Sequence, residues 1–191
     1  MNFISMKKTS SEVIFSTHNL VTMAMFTALL CISAYLSITL PNGLHITFLN
    51  FMITLITLLF PASQAVCIIF IWLLMGFIGL PVFAGGCAGA GYLFGPYGGY
   101  NIAFLLTAIG IPFLCGKTYQ RLRYLFAAII AVIFVDLFGS LWIMFMLQIS
   151  FPAALLTGFV PFIVLDFIKA VIAAQLVPTF RPLLDFGTVL K

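Results

Sequence analysis

The sequence predicts an all-α integral membrane protein, a six-helix bundle with a glycine-rich loop on its outer side. Three observations carry that expectation. Of the 191 residues, 64% are hydrophobic and 6% charged, with a mean hydropathy of +1.27; a water-soluble domain of this size needs far more polar surface. No Asp, Glu, Lys or Arg occurs between residues 13 and 116, long enough for several membrane passages of about 20 residues each. Eight of the fifteen glycines fall in residues 79–100, GLPVFAGGCAGAGYLFGPYGGY, between two apolar runs. Such a stretch is poor material for a long helix and suits a tight connector or a loop lying directly against a ligand.

Taken in order, residues 1–18 form a cytoplasmic or interfacial leader carrying Lys7, Lys8 and Glu12. Residues 19–180 form the membrane domain, and 181–191 a tail. The first span is expected at 19–40, turned by Pro41-Asn42-Gly43. The second apolar run, 45–60, is short for a crossing. Pro61 marks the next turn, and the third span covers 62–78. The fourth covers 97–114, with Gly110 and Pro112 disturbing its last turns. The fifth covers 124–146 and holds Asp136 and Gly139. From 148 to 165 the chain is broken by Pro152, Gly158 and Pro161, which suggests a short surface helix at 152–159. The last helix is then expected to start at Asp166, acting as its cap, and to end near 176, which makes it short.

Lys7 and Lys8, the cluster Lys117, Arg121 and Arg123, and the tail residues Arg181 and Lys191 all fall on one side of an even number of spans. The opposite connections, 41–46, 79–96 and 147–165, contain no Lys or Arg. The positive-inside rule then puts both termini in the cytoplasm and the glycine-rich loop outside. The formal charge of +4 therefore reads as an orientation signal, not as a nucleic-acid surface.

Several polar residues need a reason for being in so apolar a chain. Asp166 and Lys169 are three apart, on roughly one helix face. Within a membrane such a pair is either a ligand or ion site or a structural ion pair pinning the helix. Asp136 has no basic residue within a helical turn; it can pair with Lys169 across the bundle, carry a proton, or face a wet cleft. Tyr92, Tyr97 and Tyr100 punctuate the glycine-rich stretch, where rigid amphipathic rings suit the cover of an apolar ligand. Asn101 follows directly. Asn50 and Gln64 are lesser candidates, and His18 and His45 lie near span edges and need no catalytic role. Trp142 reads equally as an interface anchor or a pocket wall. Ala24 and Ala28 sit four apart in the first span, where small residues permit close helix approach, to a neighbour in the chain or to a partner.

Cys31, Cys67, Cys87 and Cys115 show no CxxC spacing, so neither a disulfide framework nor a metal site is expected. No nucleotide-binding loop, metal-ligand cluster or nucleophile with an adjacent base is present. An enzyme is not expected, and no cofactor; a transporter built on this chain would take its energy from elsewhere.

The runs GFIGLPVFAGG (76–86), GPYGGY (95–100) and VPFIVLDFIKAVIAA (160–174) resemble the signatures of BioY, the substrate-binding membrane subunit of biotin transporters of the energy-coupling factor class. The resemblance covers about residues 20–178. It implies a six-helix subunit of a bacterial cytoplasmic (inner) membrane that binds biotin from outside. Such a subunit works with a separate transmembrane coupling subunit and cytoplasmic ATPases that use ATP. It further implies that Asp166 and Lys169 help to form the biotin site, that Gly85, Gly86, Tyr92, Gly98, Gly99 and Tyr100 close over the ligand, and that Ala24 and Ala28 meet the coupling subunit. Biotin, with a polar ureido group beside an apolar ring and a carboxylate tail, suits a few polar groups under aromatic covers. The competing readings are a subunit of the same class for riboflavin or thiamine, a polytopic membrane enzyme, and a structural membrane partner. The chain departs from the usual family pattern at Leu49-Asn50, Tyr97 and Leu165.

Overall fold

The computed structural model describes residues 16–39, 43, 45–116 and 118–184. Most of the expected leader and tail, including Lys7, Lys8 and Lys191, lies outside the described residues, and so does Lys117. In chain order the elements are α1 (Thr17–Ser33), a two-stranded hairpin of β1 (Ser37–Thr39) and β2 (His45–Thr47), α2 (Leu49–Leu59) and α3 (Ala62–Phe77). A 3-10 turn (Ala84–Gly86) and a one-turn helix α4 (Ala90–Leu93) follow. Then come α5 (Gly98–Cys115), α6 (Arg121–Leu147), α7 (Phe151–Gly158), α8 (Val160–Phe180) and a final 3-10 turn (Arg181–Leu183).

Three helices, α5, α6 and α8, are long and apolar enough to cross a membrane, and α1, α2 and α3 are shorter apolar helices. The chain is thus an all-α, multi-pass membrane protein. Its burial pattern fits lipid as the surrounding solvent. On α6 the inward residues are small or β-branched, Ala127, Ala128, Ala131, Val132 and Val135, while Phe126, Ile130, Phe134 and Leu137 are exposed. On α8, Ala170, Ala173, Ala174 and Val177 point inward and Phe167, Ile168 and Ile172 outward. Small inward residues let backbones approach where lipid supplies no hydrophobic drive to associate.

The short helix α2 sits at the centre of this packing, against α1, α3, α5, α6 and α8. Ten of its eleven residues are buried, and Asn50 is the exception. A helix apolar on all sides is a core helix. That explains why a run too short to cross comfortably is nonetheless stable.

Two expectations are corrected. The first span does not reach residue 40. The helix ends at Ser33, whose hydroxyl donates to the Leu30 carbonyl at 2.7 Å, and the chain turns into the hairpin. There Ser37 pairs with Thr47, Ile38 with Ile46 and Thr39 with His45. The last helix is not short and does not begin at Asp166. It starts at Val160 with Pro161 in its first turn and runs 21 residues to Phe180. Proline is tolerated in a first turn because the amide it lacks would have no intrahelical partner there. Asp166 is therefore inside the helix and fully buried, not a cap.

Candidate functional site

The glycine-rich segment is folded against the bundle at several fixed points. The Trp72 indole N–H donates to the Val82 carbonyl at 2.9 Å, and Trp142 Nε1 donates to the Gly95 carbonyl at 3.0 Å. The Gly85 amide donates to the Ala34 carbonyl at 3.1 Å and the Gly89 amide to the Gly76 carbonyl at 2.7 Å. Phe83 meets Trp72 edge-on with ring centroids 5.3 Å apart and stacks on Tyr92 at 5.4 Å. Trp142 thus acts as a staple on this segment, neither a plain interface anchor nor a wall of the cavity described next.

Hairpin, glycine-rich segment and the ends of α2, α5 and α8 enclose a cavity with about 480 Å³ of empty space counted out to its mouth. The hairpin contributes Gly43, His45 and Thr47. Leu49 and Asn50 come from the start of α2, and Ala84, Tyr92 and Tyr97 from the glycine-rich segment. Tyr100, Asn101 and Phe104 come from α5, and Phe162 from α8. Rings form much of the wall, with amide and hydroxyl groups between them.

Each polar group has an identifiable support. The Tyr100 hydroxyl donates to the Gly158 carbonyl at 2.6 Å, and its ring packs near Phe162 with centroids 6.1 Å apart. Burial pushes the Tyr92 phenol well above its usual range, with Cys87 and Tyr97 adding to the effect, so it remains a neutral donor. Asn101 is buried, and its Nδ2 has no hydrogen-bond partner among the described residues. A buried amide donor without a partner at a cavity wall points to an acceptor supplied by the occupant.

Asp166 and Lys169 stand immediately behind this wall. Lys169 Nζ donates to Asp166 Oδ1 at 2.7 Å and to the Thr47 carbonyl at 2.8 Å. Asn50 Nδ2 donates to the other Asp166 oxygen. The Asp166 side chain is 1% exposed and that of Lys169 18%. The wall residues Thr47 and Asn50 therefore hold the ion pair at its two ends, so a ligand touching either residue bears on the pair. Asp136 does not reach Lys169: the Lys169–Asp166 contact is the only salt bridge among the described residues, and neither carboxylate oxygen of Asp136 has a hydrogen-bond partner among them.

The remaining sequence candidates fall into two groups. Tyr92, Tyr100 and Asn101 line the cavity, whereas Gly85, Gly86, Gly98 and Gly99 shape the segment around it. Gly85 has φ +69°, and a Cβ there would lie 2.4 Å from the His45 ring; Gly86 lies beside Tyr35. A Cβ on Gly98 would lie 1.7 Å from the Leu93 carbonyl oxygen, and one on Gly99 2.2 Å from Trp142 Cβ. Ala24 and Ala28 are exposed on the outer face of α1, opposite the buried Met23, Phe26, Thr27 and Leu30.

Sequence reasoning gave Asn50 too little weight and missed Thr47 and His45. Asn50 had a visible signal, a lone amide in an apolar run. Thr47 acts through its backbone carbonyl and left none.

The sequence profile of the BioY family matches residues 6–186. The chain belongs to the BioY family. Curated BioY relatives include biotin transporter BioY2 of Lactococcus lactis subsp. cremoris, 32% identical over 157 residues, or 81% of this chain and 85% of the relative. Biotin transporter BioY of Thermotoga maritima is 32% identical over 155 residues, 81% and 90% of the two chains. Among solved structures, the S-component for biotin from an ECF-type ABC transporter superposes with a TM-score of 0.78 at 31% identity, over 85% of this chain and 90% of that one. The BioY resemblance of the glycine motifs and of Asp166-x-x-Lys169 is thereby matched over nearly the full described length.

Proposed function

We propose that this chain is the membrane substrate-binding subunit for biotin uptake, capturing biotin in the cavity between hairpin and glycine-rich segment. The observation that carries the reading is the similarity to the solved biotin S-component, at 31% identity over 85% of the chain. The lining of the cavity supports it independently: its mixture of rings and amides suits a ligand with a compact polar ureido head on an apolar body. Asn101 and Asn50 offer donors within the wall, and Tyr92 and Tyr100 cover the apolar ring. Asp166 and Lys169 set the charge and geometry of the polar end, while Gly85, Gly86, Gly98 and Gly99 let the covering segment lie close.

The finer architecture follows the same reading. Residues 19–180 form a six-helix membrane domain with the glycine-rich loop outward, between a leader at 1–18 and a tail at 181–191. The protein lies in a bacterial cytoplasmic (inner) membrane with both termini inside. Biotin is delivered inward with a transmembrane coupling subunit and cytoplasmic ATPases, and ATP is used by those partners. The exposed Ala24 and Ala28 leave a shallow strip on α1 that another helix can approach closely.

Binding and uptake of labelled biotin test both halves of the proposal. Purified protein should bind biotin saturably, with riboflavin and thiamine failing to displace it. Ala28→Leu should keep that affinity within about twofold, because the residue is remote from the cavity, and abolish uptake in cells carrying the partner subunits. Displacement by riboflavin or thiamine would transfer the assignment to another vitamin, and unimpaired uptake by Ala28→Leu would remove α1 from the docking surface.

A further inference from the structure

His45 lies on β2 and lines the cavity together with Gly43 at the exposed, hairpin side. Its ring is held in place from two directions. Nδ1 is 3.1 Å from Thr39 Oγ1 across the hairpin register. The opposite contact is the glycine-rich segment, where Gly85 has no side chain because the imidazole occupies that space, Cε1 lying 2.4 Å from where a Cβ would stand. Hairpin and glycine-rich segment thus meet at this ring, at the mouth of the site.

Nε2 has no hydrogen-bond partner among the described residues. The Thr39 contact suits either tautomer of the ring; in the one whose Nδ1 accepts from the Thr39 hydroxyl, the ring proton is on Nε2 and available to a ligand. No Asp, Glu, Lys or Arg is among the residues lining the cavity. Lys169, behind the cavity wall, is already committed to Asp166 and the Thr47 carbonyl. A monoanionic ligand that places its uncharged head deep, toward Asn50 and Asn101, brings its carboxylate to the hairpin end. There a carboxylate needs a fixed donor, and hydrogen bonds to charged groups are the stronger ones.

We propose that His45 Nε2 donates to the tail carboxylate of the ligand at the cavity mouth, and so makes the site selective for the free acid over neutral tail derivatives. The inference rests on the biotin reading and deepens it by assigning the end of the ligand remote from Asp166. It also gives the Gly85 and His45 contact a purpose: the ring that reads the tail is the ring on which the covering segment rests, so tail recognition and closure share one side chain.

The test is equilibrium binding of biotin and of biotinamide, whose tail is uncharged, to the purified full chain as wild type, His45→Leu and His45→Gln, with thermal melting of each variant. The expected result is that His45→Leu weakens biotin roughly tenfold, the size of one charge-assisted hydrogen bond, while biotinamide changes less than about twofold on the same scale. His45→Gln, which keeps a donor, retains more of the preference for the acid than His45→Leu does, and serves as the working variant if His45→Leu does not fold. Equal weakening of both ligands by the two variants would overturn the proposal in favour of a packing role against Gly85, and so would unchanged binding of both. Failure of the wild type to bind either ligand is a separate outcome, which removes the biotin reading itself.

Discussion

Asp166→Asn is expected to lose most of the biotin affinity while the protein still folds, and Asp166→Ala to lose both affinity and stability. The carboxylate is the shared acceptor of Lys169 Nζ and Asn50 Nδ2, and it is almost wholly buried. Truncation leaves the ammonium with the Thr47 carbonyl alone in a low-dielectric interior. Removing one partner of a buried pair costs on the order of 3 kcal/mol. Asparagine keeps the shape and one acceptor but not the charge. It should therefore melt closer to wild type, with affinity reduced roughly 30-fold through loss of charge-assisted hydrogen bonds. Lys169→Ala should resemble Asp166→Ala. Replacing both, Asp166→Leu with Lys169→Met, should recover much of the stability, because a buried ion pair is often no more stable than apolar residues of similar volume, and should recover none of the binding. Thermal melting and biotin titration on the same samples separate the two effects. Restored binding in the double variant would show that the pair only holds the helix.

The second large effect is expected at Gly98. The glycine-rich segment returns to the bundle at this residue, where the Leu93 carbonyl oxygen would lie 1.7 Å from any added Cβ. That atom belongs to the backbone, so the start of α5 or the end of α4 must move. Either movement shifts Tyr97, Tyr100 and Asn101, which line the cavity. Gly98→Ala should thus lower the melting temperature and weaken biotin at least tenfold, in the range of a few kcal/mol for severe overpacking. Gly91→Ala is the control: a Cβ there meets nothing within 4 Å, and the residue's φ is not positive. Since alanine reduces the freedom of the unfolded chain, that variant should be stabilised by about 0.5 kcal/mol with affinity unchanged. Similar losses at both positions would mean that the segment needs flexibility, not close approach.

These two cases also show what the amino-acid sequence reveals and what it conceals. The absence of charge between residues 13 and 116 marked the membrane domain, and the glycine density marked the segment that covers the cavity, because both are local properties of composition. The pairing of Asn50 with Asp166 joins residues 116 positions apart, and nothing in either neighbourhood announces it. Pro161 misled because a proline in an apolar run suggests a break, although in a first turn it removes no helical hydrogen bond. The hairpin was hidden by hydrophobicity: Ser37-Ile38-Thr39 and His45-Ile46-Thr47 read as tails of flanking helices, yet their β-branched residues around Pro41-Asn42-Gly43 are also a hairpin signal. Missing the hairpin is what left His45 without a role.

The central claim is that the ligand lies between the hairpin and the glycine-rich segment, and hydrogen exchange with and without saturating biotin tests it most directly. The account predicts slower amide exchange on binding in two stretches, residues 45–50 and 84–101, with no change in residues 110–116 at the far end of α5. Biotin bound at saturation with unchanged exchange in both stretches, or with protection confined to the far end, would contradict it.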